Sequence, residues 1–237
     1  GACVMMIAGE FDLSIGSMFG FAPIALCTMT GAGVPFWIAF VLALGICCLV
    51  GLLNGTISLS FGIPSFITTL GMLFILRSLC VVIYQSGAAP SLPDDAPTWA
   101  FTDPLCFVRV STVWLVVLSV AIYVLLERTD FGNWTRATGG ALESAKSMGI
   151  PTRTVKIVCF MICSFCAGLA GIIQVVRIAS PLPSLGDGIE LPAIAAAVIG
   201  GIALSGGVGN VLGAIVGMAI IRVIDSGMVM SRVDANG

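Results

Sequence analysis

The sequence predicts an all-α protein, a polytopic transmembrane helix bundle of about seven apolar segments plus an N-terminal stub, with short or interrupted helices. Hydrophobic residues make up 58% of the chain and charged residues 9%, against about a quarter charged in soluble domains. Mean hydropathy is +1.13. Polar stretches separate apolar runs of the length needed to cross about 30 Å of hydrocarbon. The formal charge of −2 and the absence of a basic patch outside one loop give no sign of a nucleic-acid partner.

Residues 1–9 read as the tail of a span, so the chain is expected to be a piece of a longer protein, lacking spans at the N-terminus and possibly at the C-terminus. Within that piece, 1–237 is expected to be a single transmembrane domain. Ala8–Gly20 follows, placing Glu10 and Asp12 between apolar flanks, and apolar sequence resumes to about Thr30. A break at Gly31–Pro35 precedes a span over Phe36–Leu53. Asn54–Gly62 reads as a tight turn, and Ile63–Tyr84 as a further span. The loop Gln85–Arg109 holds Asp94, Asp95 and Asp103 against one arginine, as expected of an outer face. Thr112–Leu126 returns the chain inward. Val155–Ile178 crosses outward, Ser180–Glu190 forms a second outer loop, and Leu191–Leu204 is a shorter apolar run. Ser205–Asn210 turns into a last span, Val211–Met230, before a polar stub, Ser231–Gly237.

The polar run Glu127–Lys156 holds five of the ten basic residues: Arg128, Arg136, Lys146, Arg153 and Lys156. Lys and Arg close to span ends resist translocation, so this loop is expected to be cytoplasmic. Inside it, Ala141–Met148 reads as a short helix. Glu143 suits its first turn, Lys146 its last, and Gly149 the left-handed position after it. Leu142, Ala145 and Met148 share one apolar stripe. Such a stripe either rests on lipid headgroups or lies in the groove of a partner.

Glycines at 209, 213 and 217 form a small-residue ridge, and Gly16 and Gly20 a shorter one; both read as packing surfaces. Cys159, Cys163 and Cys166 match an iron–sulfur spacing formally. They lie inside an apolar span, where thiols act as small hydrophobes, so they too read as packing. Histidine is absent, which removes the commonest general base and metal ligand. No phosphate-cradling G-x-x-x-x-G-K-[ST] motif is present, since the lysines follow Ala145 and Val155. Any ATP must therefore bind another chain.

Ionisable groups at membrane depth are costly unless paired or hydrated, so Glu10, Asp12, Arg77, Arg222 and Asp225 stand out. Arg222 and Asp225 are three apart on one helix and can pair. Arg77 requires a partner across the bundle. Glu10 and Asp12 flank Phe11 where a span is interrupted, a feature of transport folds, though they also suit the end of one helix and the cap of the next. Asp187 and Glu190 suit either helix initiation or solute contact. Ser14, Ser65, Thr68 and Thr69 are polar enough to line a path, but Ser and Thr also bond to their own helix backbone.

The stretches Gly9–Ser17, Asn54–Gly71 and Glu190–Gly217 resemble, in that order, the permease subunits of ABC importers for ribose and other simple sugars. Branched-chain amino acid permeases are more distant relatives. Phe131–Pro151 resembles the family's cytoplasmic segment that docks on the ATPase, with Ala141 where the family usually has Asn. The resemblance implies coupling to the ATPase through Gly139, Gly140, Ala141, Leu142, Ala145, Met148 and Gly149. It also implies a pathway whose candidates are Glu10, Asp12, Ser14, Ser65, Thr68 and Thr69. No cofactor is expected on this chain, with ATP and Mg held by the partner ATPase. The other implied partners are a second permease subunit, an extracytoplasmic solute-binding protein and the lipid bilayer of a bacterial inner membrane. The alternatives are an ion-coupled secondary transporter using Glu10 and Asp12, a branched-chain amino acid ABC permease, or a membrane scaffold.

Overall fold

The computed structural model describes residues 1–85, 92, 96–105 and 108–230. Its helices are α1 (Ala2–Ile7), α2 (Ile15–Gly31), α3 (Phe36–Phe61), α4 (Ser65–Gln85), α5 (Val110–Arg128), α6 (Asp130–Gly140), α7 (Leu142–Ser147), α8 (Thr152–Ile178), α9 (Glu190–Ile199) and α10 (Val211–Met230). Among the described residues, four helices are long and apolar enough to cross a membrane: α3, α4, α5 and α8. α2 and α9 are shorter apolar helices. Asp94, Asp95 and the stub 231–237 lie outside the described residues, so the acidic character expected of the first outer loop is only partly visible.

α8 is the central post. It packs along α3 and α2, and one apolar core joins Ile24 and Leu26 of α2, Ala43 and Cys47 of α3, and Leu169 and Ile172 of α8. Small residues bring these helices close: a Cβ on Gly171 would overlap the Phe19 carbonyl. A second core surrounds α1 and includes Cys159, Phe160 and Cys163 of α8. Cys159 and Cys163 are buried, free and packed among apolar side chains.

The two ends of the bundle differ in chemistry. At one end Phe101, from the loop before α5, is fully buried against Phe36 and Phe40 of α3 and Trp114 of α5, and Trp114 Nε1 donates to the Ala100 carbonyl at 2.9 Å. A short antiparallel ladder pairs Pro104 with Arg109 beneath this cluster. The other end carries the polar helices α6 and α7.

Three expectations need correction. Asn54–Phe61 is not a turn but the last part of α3, and the reversal is confined to Gly62–Pro64. Thr56 Oγ1 donates back to Leu52 O at 2.8 Å, and Gly62 takes the left-handed φ of 65° that ends the helix. The apolar run Leu191–Leu204, for which no helix length was expected, is α9 up to Ile199 and then turns at Gly200–Gly201. The expected ridge of Gly209, Gly213 and Gly217 is broken: Gly213 and Gly217 face the end of α9, but Gly209 lies before α10, against Ile202. The Gly16–Gly20 ridge accepts the loop at Leu185–Gly186 and Glu190 rather than a parallel helix.

Candidate functional site at the broken helix and the polar elbow

Between α1 and α2 the chain is not helical over residues 8–14, so several backbone amides need partners elsewhere. Gly9, at φ 77°, turns the chain out of α1. The Phe11 amide then donates to Ser65 Oγ at 3.2 Å, and the Leu13 amide to Thr69 Oγ1 at 3.1 Å. Asp12 Oδ1 accepts from the Ser14 amide at 2.9 Å and from Ser14 Oγ at 2.6 Å. Asn54 Nδ2 donates to Ser14 Oγ at 3.1 Å, tying the break to α3. Side chains of α4 thus replace hydrogen bonds that a continuous helix would have made, and Asn54 of α3 anchors the Ser14 side chain.

Four of the candidate pathway residues, Asp12, Ser14, Ser65 and Thr69, therefore meet at the break, all of them buried. Thr69 also donates to its own helix at Ser65 O, 2.8 Å away, so its hydroxyl joins α4 to the break. Glu10 forms an ion pair with Lys156 of α8, largely out of solvent. Thr68 stands apart: its Oγ1 is buried without a hydrogen-bond partner. Asp12 Oδ2 and Asn54 Oδ1 are likewise buried and unpartnered. Asn54 and Lys156 were missed from sequence. The signal for Asn54 was its place between Gly51 and Gly55, the two close-approach positions of α3 on α8.

Arg77 does find a partner across the bundle, Asp187 in the second outer loop. Asp187 is therefore a bridge rather than a helix-initiating acid, while Glu190 sits in the first turn of α9. Arg222 and Asp225 pair at 3.8 Å on the exposed side of α10.

The polar run 127–156 is more ordered than expected, for it holds two helices. α6, unforeseen from sequence, buries Gly132, Thr135 and Thr138 and turns sharply at Ala141 into α7. Arg136 locks the bend between α5 and α6: Nη1 donates to Leu126 O at 2.8 Å, and Nη2 pairs with Glu127. α7 ends as its sequence suggests, with the Gly149 amide on Lys146 O at 3.0 Å and the Ile150 amide on Ala145 O at 3.1 Å. Its apolar stripe is split, however. Ala145 is buried against the rest of the chain, Leu142 is half-buried, and Met148 is 78% exposed. Only Met148 and part of Leu142 offer apolar surface to anything outside. Gly140, Ala141 and Gly149 are exposed, whereas Gly139 is half-buried against Ile7 and Gly207.

Residues 1–234 match the family described as branched-chain amino acid transport system / permease component. Among curated proteins, the chain is 34% identical to the autoinducer 2 import system permease protein LsrC of Photorhabdus luminescens, over 99% of this chain and 71% of that protein. It is also 34% identical to LsrC of Shigella flexneri, over 99% of this chain and 68% of the relative. No solved structure matches. The family is one of transport-system permease components and these relatives are named as import-system permeases, which favours an ATP-driven import subunit over ion-coupled transport. The chain belongs to the family of branched-chain amino acid transport system permease components, and is a multi-pass inner-membrane transport subunit of an ABC importer rather than an enzyme.

Proposed function

We propose that this permease imports a sugar or sugar-like solute, of the kind represented by the autoinducer 2 named for its relatives, and that the helix pair α6–α7 is where a partner ATPase grips it. The elbow supports this reading: it projects a rigid, capped helix whose one fully presented apolar side chain is Met148. An external solute-binding protein delivers the solute to the opposite end, and a second permease subunit completes the pathway. ATP and Mg reside on the ATPase, so this chain changes the exposure of a path and breaks no bond. The break at residues 8–14 is the part of the pathway wall best placed to rearrange, because its amides are held by side chains rather than by a helix ladder.

The test is co-expression with the ATPase and binding protein. Met148→Asp puts a charge into the contact and is expected to weaken ATPase co-purification at least about tenfold, roughly 1.4 kcal/mol, with normal membrane insertion. Ala145→Asp is a poor probe, since that residue is buried within the chain itself. Undiminished co-purification of Met148→Asp would remove the docking assignment. Uptake of autoinducer 2 or ribose, measured against leucine, separates the sugar reading from an amino acid cargo. Uptake that persists without ATP would sink the import mechanism.

A further inference from the structure

Three segments far apart in sequence meet backbone to backbone where the elbow touches the membrane helices. They are the end of α1 with Gly9, the end of α6 at Gly139–Gly140, and the α9–α10 turn at Gly206–Gly207. The Gly207 amide donates to Ile7 O at 2.8 Å. A Cβ on Gly139 would overlap that same Ile7 oxygen and lie 2.8 Å from the Gly207 nitrogen. One on Gly206 would lie 2.8 Å from both Gly139 O and the Gly9 Cα, and one on Gly207 2.6 Å from the Gly140 Cα. Arg136 adds a side-chain strap from α6, its Nη2 reaching Gly209 O at 3.5 Å.

We propose that Gly9, Gly139 and Gly207 are positioning residues that clasp the elbow, the broken helix and the α9–α10 turn into one rigid body. Displacement of α6–α7 then enters the membrane part at this clasp. The C-terminal exit from the elbow is a bend, Gly149 at φ 81° before Pro151, which absorbs rotation. The N-terminal exit at Thr129 is held by Arg136 against the end of α5, so the elbow moves with that helix end and the clasp together. Apart from the Arg136 strap the clasp is backbone on backbone, and close-packed backbone transmits strain instead of absorbing it. What it holds are the shortest membrane elements, α1 of 6 residues and α9 of 10, and because α1 is buried in the second core, a shift at the clasp is passed on to that core.

This rests on the coupling role proposed for α6–α7, and the two can fail separately. Gly207→Ala, whose methyl would press on Gly140 from outside the docking helices, is expected, in the full transporter reconstituted with its ATPase and binding protein, to co-purify the ATPase and retain ATP hydrolysis. Solute uptake per ATP should fall at least about tenfold. Unchanged uptake per ATP would overturn the clasp, whereas loss of docking in Met148→Asp bears only on the coupling role. Should Gly207→Ala fail to insert, hydrogen exchange on the wild-type transporter decides. The peptide containing the Gly207 amide should stay protected both without nucleotide and with ATP bound. Deprotection in either state overturns the proposal.

Discussion

Glu10 and Lys156 form the most enclosed ion pair described in the chain, with side chains 14% and 12% exposed. A pair taken out of water gives little net stability relative to apolar replacements, but removing one partner strands the other charge. Lys156→Met is therefore expected to destabilise the protein by about 3–5 kcal/mol, read as a lowered unfolding midpoint in detergent. Adding Glu10→Gln should recover most of that loss. If the double variant is no better than Lys156→Met alone, the pair is not what makes Lys156 important. Pairing at this scale was legible only over short range. Arg222 and Asp225 lie within one turn, so spacing alone joined them. Glu10 and Lys156 are separated by 146 positions, and the sequence offered only the cost of an unpaired acid as a clue. The same holds for Ser65 and Thr69: their polarity was visible, but the amides they satisfy belong to a break whose partner helix no local pattern names.

At the scale of elements, apolar runs located most helices, because length and hydropathy are local properties. Boundaries failed where polarity was mistaken for a turn. Asn54, Thr56 and Ser58 stay helical because each finds a partner, in Ser14, Leu52 and Ile63 respectively. α6 escaped notice for the opposite reason: its buried face is made of glycine and threonine, which leave no hydrophobic period. Glycine ridges were recognisable as packing devices, but the surfaces they meet were not. Gly213 shows the cost of filling one. A methyl there would overlap the Gly200 carbonyl, so Gly213→Ala should destabilise the α9–α10 pair by about 1–3 kcal/mol. Gly45, in the middle of α3, faces open space, and Gly45→Ala should be neutral or stabilising by up to about 1 kcal/mol. Thermal midpoints by fluorescence-detected size exclusion compare the two directly. Equal losses would mean that the ridge contact contributes nothing specific.

For the whole molecule, function depends on which end faces the cell interior, because a motor on one side and a solute on the other must act through the same helices. Charge orients the bundle. The elbow end concentrates Arg128, Arg136, Lys146, Arg153 and Lys156, and the opposite end is closed by the Phe36–Phe101–Trp114 cluster. Basic residues near span ends hold a segment in the cytoplasm, whereas aromatic side chains favour either membrane–water boundary and mark depth rather than side. Trp99 and Met148 are exposed at the two ends, at 68% and 78%, and neither is part of a core. Trp99→Cys should then react with a membrane-impermeant maleimide in intact cells, and Met148→Cys only after permeabilisation. The eight described native cysteines are buried or half-buried, and Cys106, which lies outside the described residues, is replaced by Ser in the labelling background to keep the blank low. Labelling of Met148→Cys in intact cells would invert the bundle. An ATPase confined to the cytoplasm could not then reach α7, and both the coupling role and the clasp that depends on it would fail together.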